Sequence, residues 1–185
     1  NDGYIDGNYQ EESIVISNTN PIVSSVVISS SGLFNYNDST LTCLATGTDV
    51  DGPVTISYSW IINGISYSGA SQDLSNTTIQ PNELVECIAT VSDANGGLTS
   101  SSTTVTIDNR SPSVYSVTIS PNLSVFSNSA LTCSATVADP DGENLSPSYE
   151  WFIGGSSVGT NAVLQLTNSI ASPNDAVECI ATVID

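Results

Sequence analysis

The chain repeats itself, cysteines included, at an interval of 90 to 92 residues. PIVSSVVIS at 21–29 matches PSVYSVTIS at 112–120, and LTC at 41–43 returns at 131–133. Trp60 returns as Trp151, and ECIATV at 86–91 returns at 178–183. Self-similarity at a fixed period means that one structural unit is built twice, and a period near 90 suits one β-sandwich domain.

The repeats are cut off register. The first runs over 21–108 and closes with a strand-like TVTID at 104–108, whereas the second, 112–185 after a linker at 109–111, has no such closing stretch. A related stretch stands at the opposite end: SIVIS at 13–17 followed by Asn20-Pro21 resembles TVTID at 104–108 followed by Ser111-Pro112. The segment 1–20 therefore reads as the last strand of a sandwich belonging to a preceding repeat or a neighbouring subunit. The loop Val91-Ser92-Asp93-Ala94-Asn95-Gly96 likewise matches Val183-Ile184-Asp185 continued by Asn1-Asp2-Gly3, so the chain reads circularly as one period of a two-domain array. With no Met or signal pattern at Asn1, it reads as a mature form or a fragment.

No segment has a helical hydrophobic period. Short alternating runs separated by Gly, Pro, Asn, Asp and Ser predict strands. In the first repeat these fall at 23–28 (A), 41–46 (B), 57–62 (C), 73–79 (E), 84–91 (F) and 103–107 (G), with a tight hairpin at Asn63-Gly64; Gly154-Gly155 takes that place in the second. Alternation puts Leu41, Cys43 and Ala45 on one face of B, Val85, Cys87, Ala89 and Val91 on one face of F, and Tyr58, Trp60 and Ile62 on one face of C. Cys43 should thus meet Cys87, and Cys133 meet Cys179, across two cores containing Trp60 and Trp151; four buried free thiols are the alternative. Disulfides would imply an oxidising compartment.

The order Cys…Trp…Cys, the Pro-x-Val start and the Asp-x-Asp-Gly loop resemble the tandem immunoglobulin-like, PKD-like repeats of large bacterial and archaeal cell-surface or filament proteins, over all 185 residues. The resemblance implies an all-β fold of tandem immunoglobulin-like β-sandwich domains, each with a B–F inter-sheet disulfide, serving as stalk, spacer or adhesive fibre. The tyrosine of antibody-type domains, two residues before the second Cys, is replaced by Val85 and Val177.

Charge narrows the partners. Nineteen carboxylates face a single basic residue, Arg110, for a net charge of −18, and His is absent. Nucleic acid and an anionic membrane surface both need cationic side chains, so neither is expected as a partner. Ser-His-Asp, Cys-His and Schiff-base chemistry have no residues to use, and the chain is not expected to be an enzyme. Calcium is the cofactor that so acidic a surface suits. Asp49 and Asp51 in one B–C loop, and Asp139 and Asp141 in the other, are alternate acids before a Gly; Asp93 and Asp185 add acids from the F–G loops. Ordinary turn formation is the alternative for these sequences. Arg110 reads as a solvated linker residue, with an ion pair to Asp139 or Asp141 as the alternative. Asn-x-Ser/Thr sites for glycosylation stand at Asn37, Asn76, Asn109, Asn122 and Asn144.

These features predict a structural repeat of a rod-like extracellular or cell-surface stalk, adhesin or filament, whose partners are further copies of itself. The alternative is a pilus-like subunit that donates its N-terminal strand, centred on Ile14, Val15 and Ile16, to the second domain of the next subunit. A lectin-like module would need clustered aromatics, and Tyr4, Tyr9, Tyr36 and Tyr67 are scattered. With Trp60 and Cys87 inward, Ile61 and Ile88 should face out; in the second repeat Phe152 and Ile180, joined by an incoming Val15, should form an apolar stripe for lateral contact. The first repeat has Thr106 where Val15 would stand.

Overall fold

The structure, a computed structural model, describes residue 3 and residues 8–185. The sequence-stretch assignments to Asn1, Asp2 and Tyr4 lie outside the described residues. Among the described residues, thirteen strands and one 3-10 turn make up the regular structure: β1 Ile22–Ser30, β2 Thr40–Thr48, β3 Thr55–Ile62, β4 Ile65–Ser68, β5 Ser71–Asp73, the turn Leu74–Asn76, β6 Leu84–Ser92, β7 Leu98–Thr106, β8 Ser113–Ser120, β9 Ala130–Ala138, β10 Ser148–Ile153, β11 Ser156–Gly159, β12 Val163–Gln165 and β13 Val177–Thr182. The fold is all-β, as alternation without a helical period requires.

The strands form four sheets, ordered β1-β2-β5 and β4-β3-β6-β7 in the first repeat, β12-β9-β8 and β11-β10-β13 in the second. Strands β1 and β2 pair antiparallel with Val26 opposite Ala45, and β8 with β9 with Val117 opposite Ala135. Strand β3 pairs antiparallel with β6, setting Trp60 opposite Cys87; β10 pairs with β13, setting Trp151 opposite Cys179. Both disulfides are formed, Cys43–Cys87 and Cys133–Cys179, and each joins one sheet to the other within its repeat. Both Trp side chains are fully buried, and each satisfies its indole N–H on a backbone carbonyl, Gly69 O at 2.9 Å and Asn161 O at 2.8 Å. The hydroxyls of Tyr58 and Tyr149 likewise accept the N–H groups of Ala45 and Ala135. A large aromatic with its polar end bonded contributes apolar area without an orphaned donor.

The hairpins fall where expected: Asn63 and Gly64 both have positive φ, as do Gly154 and Gly155. The E strand is shorter than 73–79. Asp73 accepts the N–H and the hydroxyl of Ser75, and this local capping winds the chain into the 3-10 turn after only three strand residues. Strand β7 begins at Leu98, earlier than the expected 103, directly after the 93–97 turn. Residues 13–17 belong to no strand here, and Ile14, Val15 and Ile16 are 87%, 88% and 84% exposed.

The chain forms two compact units that do not follow the repeat boundary: Asn1–Ser31, Thr40–Gln72 and Val85–Val105 in one, Gly32–Ser39, Asp73–Leu84 and Thr106–Asp185 in the other. The loop 32–39 and the segment 73–84, though within the first repeat, therefore share a unit with Arg110 and the whole second repeat.

Candidate functional site

Two acidic loop clusters, one in each unit, and an apolar groove in the second unit carry the chemistry of the molecule. In the first unit the segment ahead of Pro21 is fastened to both acidic loops. Asn18 donates its side-chain N–H to Asp93 Oδ2 (2.9 Å), and the Thr19 backbone N–H donates to Asp51 Oδ2 (2.6 Å). Asp93 Oδ1 also accepts the N–H groups of Asn95 (2.7 Å) and Gly97 (2.9 Å). A Cβ at residue 97 would collide with the Asp93 carboxylate, so any residue but glycine would displace that side chain from its bonds. The Asn18 bond, with the Gly97 and Asn95 amides, outweighs partial burial and holds the Asp93 carboxyl below its ordinary value of 3.8.

The second unit repeats this seam one period later. Asn109 donates its side-chain N–H to Asp185 Oδ2 (2.8 Å), and the Arg110 backbone N–H donates to Asp141 Oδ2 (2.7 Å). Asn109 and Arg110 stand at the repeat positions of Asn18 and Thr19. The turns match too: Asp51 N–H donates to Asp49 Oδ1 at 2.7 Å, and Asp141 N–H to Asp139 Oδ1 at 2.6 Å.

The Arg110 side chain then adds what Thr19 cannot. Its Nε donates to Asp141 Oδ1 (2.8 Å), one terminal nitrogen to Asp38 Oδ2 (3.0 Å), and the other to Asn37 Oδ1 (2.9 Å) and Pro140 O (3.0 Å). The guanidinium carbon lies 4.6 Å from the centre of the Tyr36 ring. The Asp141 side chain is fully buried. Burial lowers the Arg110 pKa, but Asp141 and Asp38 outweigh it and raise the value above the ordinary one. The reading of Arg110 as a solvated linker residue is thus corrected: a planar fork with five donors finds a matching set of acceptors, and the ion pair wins. Asn37 also donates to Asp141 O (2.7 Å). With both ends of its amide engaged, Asn37 is the poorest of the glycosylation candidates; Asn109 holds Asp185 and Asn76 holds Asp73, while Asn122 and Asn144 are exposed.

Of the six aspartates assigned to cations, Asp139 and Asp185 come together, and Glu143 joins them, with one carboxylate oxygen of each within 4.8 Å of the others. Asp141 is taken by Arg110, and Asp49, Asp51 and Asp93 form no comparable group among the described residues. Asp139 Oδ2 and Glu143 Oε2 are buried without a hydrogen bond, as is Asp49 Oδ2. Loss of water, together with the charges of Asp139, Asp185 and Asp141, pushes Glu143 above its ordinary 4.5. Glu143 has no repeat signal to reveal it, since Pro53 stands at its place in the first repeat.

The groove lies beside β13 in the second unit. Val125, Phe126, Leu166, Ala171 and Val177 line a depression of about 290 Å³, and Ile119 and Leu131 line an adjoining one of about 280 Å³ that shares Val125 and Val177. Strand β6 alternates between fully buried and partly buried residues, whereas the corresponding residues of β13, Val177, Cys179 and Ala181, stay partly exposed. Of the apolar stripe, Ile180 is 52% exposed, Phe152 is half-buried, and Val15 is exposed outside any strand; Ile61 and Ile88 are half-buried rather than open. No helix among the described residues is long and apolar enough to cross a membrane. No protein-family model, curated protein or solved structure matches the chain.

Proposed function

We propose that the chain is a structural, non-enzymatic module of an extracellular stalk or filament, made of two tandem immunoglobulin-like sandwiches linked in series to further copies. The observation that carries this reading is the repeated seam. The residues just ahead of each repeat grip its two acidic loops through the same pair of bonds, Asn18 and Thr19 to Asp93 and Asp51, Asn109 and Arg110 to Asp185 and Asp141. A side-chain amide and a backbone N–H used identically twice form a joint, and a joint that recurs once per repeat suits serial assembly. The two disulfides support an oxidising, extracytoplasmic setting. Each inter-sheet bridge limits how far its loop extends under tension, which suits a load-bearing fibre.

Within this reading calcium is the cation for Asp139, Glu143 and Asp185; Asp139 and Glu143 each bring a buried unpartnered oxygen, and carboxylate oxygens are the hard donors calcium prefers. Glycans are assigned to the exposed Asn122 and Asn144. Antibodies to the chain should decorate fibres or a surface layer outside the native cell in electron micrographs; labelling confined to the cell interior would sink the proposal. Denaturing, reducing electrophoresis of the decorated material separates its two forms. A covalent array migrates as one very large chain, and a strand-donating polymer falls to single subunits.

A further inference from the structure

We propose that the groove beside β13 is a socket for the segment 13–17 of another copy, with Ile16 as the side chain that fills it. This rests on the serial reading above and fixes its register. The first repeat supplies the pattern. There Ile107 is fully buried, donates its N–H to Glu83 O (2.9 Å) and accepts the N–H of Asn82 (2.8 Å). The next residue, Asp108, donates to Asn35 O (2.8 Å) and accepts the Asn35 N–H on its carboxylate (2.8 Å).

The second repeat has the same receiving turn. Asn82 and Asn174 both adopt positive φ, 65° and 76°. Gln80 N–H is bound by the Glu83 carboxylate at 2.8 Å, and Ser172 N–H by the Asp175 carboxylate at 2.8 Å. Thus Asn174 N–H and Asp175 O stand where Asn82 N–H and Glu83 O meet Ile107, and among the described residues no backbone group takes them. Three substitutions suit the socket to a separate strand. Ala171 replaces the buried Ile79 and leaves room; Val125 replaces Asn35; and Ser17 follows Ile16 where Asp108 follows Ile107, so the strand brings no second carboxylate to a groove that Asp175 already lines. Ile14 faces the same side as Ile16 by the period-two rule, and Val15 faces away. This copy's own segment does not occupy the groove, since Ile14 and Ile16 are 87% and 84% exposed. The occupant is a second copy, bound by main-chain bonds to an open sheet edge with specificity from alternate side chains.

The test adds a synthetic peptide of residues 8–20 to the intact chain and follows amide exchange. The peptide should protect Asn174 and the amides of Val177–Thr182. An Ile16→Asp peptide should bind roughly 100-fold more weakly, because it would bury an unpaired carboxylate; a Val15→Asp peptide should bind within about threefold of the original, since that side chain stays in water. Absence of protection, or equal binding by the Ile16→Asp peptide, overturns the socket. Protection confined to the Asp49–Asp51 and Asp93–Gly97 loops overturns it too, while leaving the serial reading intact. Fibres outside the cell that persist in the face of a failed peptide would show that the socket alone was wrong.

Discussion

The loops DVDG at 49–52 and DPDG at 139–142 differ by one letter, yet the acids around them end in different electrostatic states. In the first unit Asp93 collects three N–H donors, and its carboxylate is stabilised as an anion. In the second, Asp185 gathers with Asp139 and Glu143, two of whose oxygens are buried and unbonded, and Glu143 is held toward its protonated form. Arg110 serves Asp141 and Asp38 rather than this cluster. A shared motif therefore does not fix a shared charge state; the neighbours that arrive from other segments do. The cores show a related contrast. Strand β6 has β7 beside it, whereas β13 ends its sheet, and its inward residues remain partly open.

Breaking the disulfides should give the largest effect. The bridges span sequence separations of 44 and 46, so a Cys→Ser pair in either repeat should cost a similar amount, about 4 kcal/mol from loop entropy. Reduction kinetics should separate them: Cys43 and Cys87 are fully buried, whereas Cys179 is partly exposed. Timed alkylation and mass spectrometry should find Cys133–Cys179 opened first; simultaneous opening would remove the contrast between the cores.

Arg110→Ala comes next. It leaves the buried Asp141 without a cation and should destabilise the fold by about 2–4 kcal/mol in denaturant unfolding. Thr19→Ala, at the matching position, removes only a side chain the seam does not use and should cost under about 0.5 kcal/mol. Equal losses would mean that the backbone bond, not the guanidinium, holds the second seam.

Calcium should act on one cluster and not the other. Added to chelator-treated chain, it should raise Tm and shift the Asp139, Glu143 and Asp185 signals in NMR spectra while leaving Asp93 in place. A shift of Asp93 alone would reverse the assignment.

The smallest effect is a pair of titrations of opposite sign in metal-free buffer. Asp93 should titrate below 3.8, so its contribution to stability is present above that pH and fades as the pH falls through the folded value. Glu143 should titrate above 4.5; its folded form binds the proton more tightly, so stability declines as the pH rises from 4.5 through the folded value. Carboxyl-detected NMR reads both midpoints, and shifts of the same sign would erase the comparison.

The alternation of short apolar runs made the strands, both hairpins and both cysteine pairs legible before any coordinates, because a two-residue period fixes which side chains face one another. The E strand is shorter than the apolar pattern implies, since Asp73 capping is a local competition that such a pattern does not report. Asn18 and Asn109 were readable in principle as matched positions ahead of Pro21 and Pro112, although uncharged amides in a linker carry no strong signal. Glu143, and Asp38, Asn37 and Tyr36 around Arg110, carry no signal in the sequence, whereas Asp141 stands among the alternative partners the acidic loop offers. Asp38 and Asp141 are 103 residues apart, and nothing in local sequence announces a pairing made by distant loops.

The clamp around Arg110 also bears on how the molecule withstands proteases. Trypsin-like proteases recognise a cationic side chain in an acidic specificity pocket, and this chain offers them only the bond after Arg110. To be cut there, the guanidinium must leave Asp141, Asp38, Asn37 and the Tyr36 ring and enter the protease instead. The folded chain should therefore resist digestion at its one susceptible bond, with the cleavage rate following the opening of that clamp.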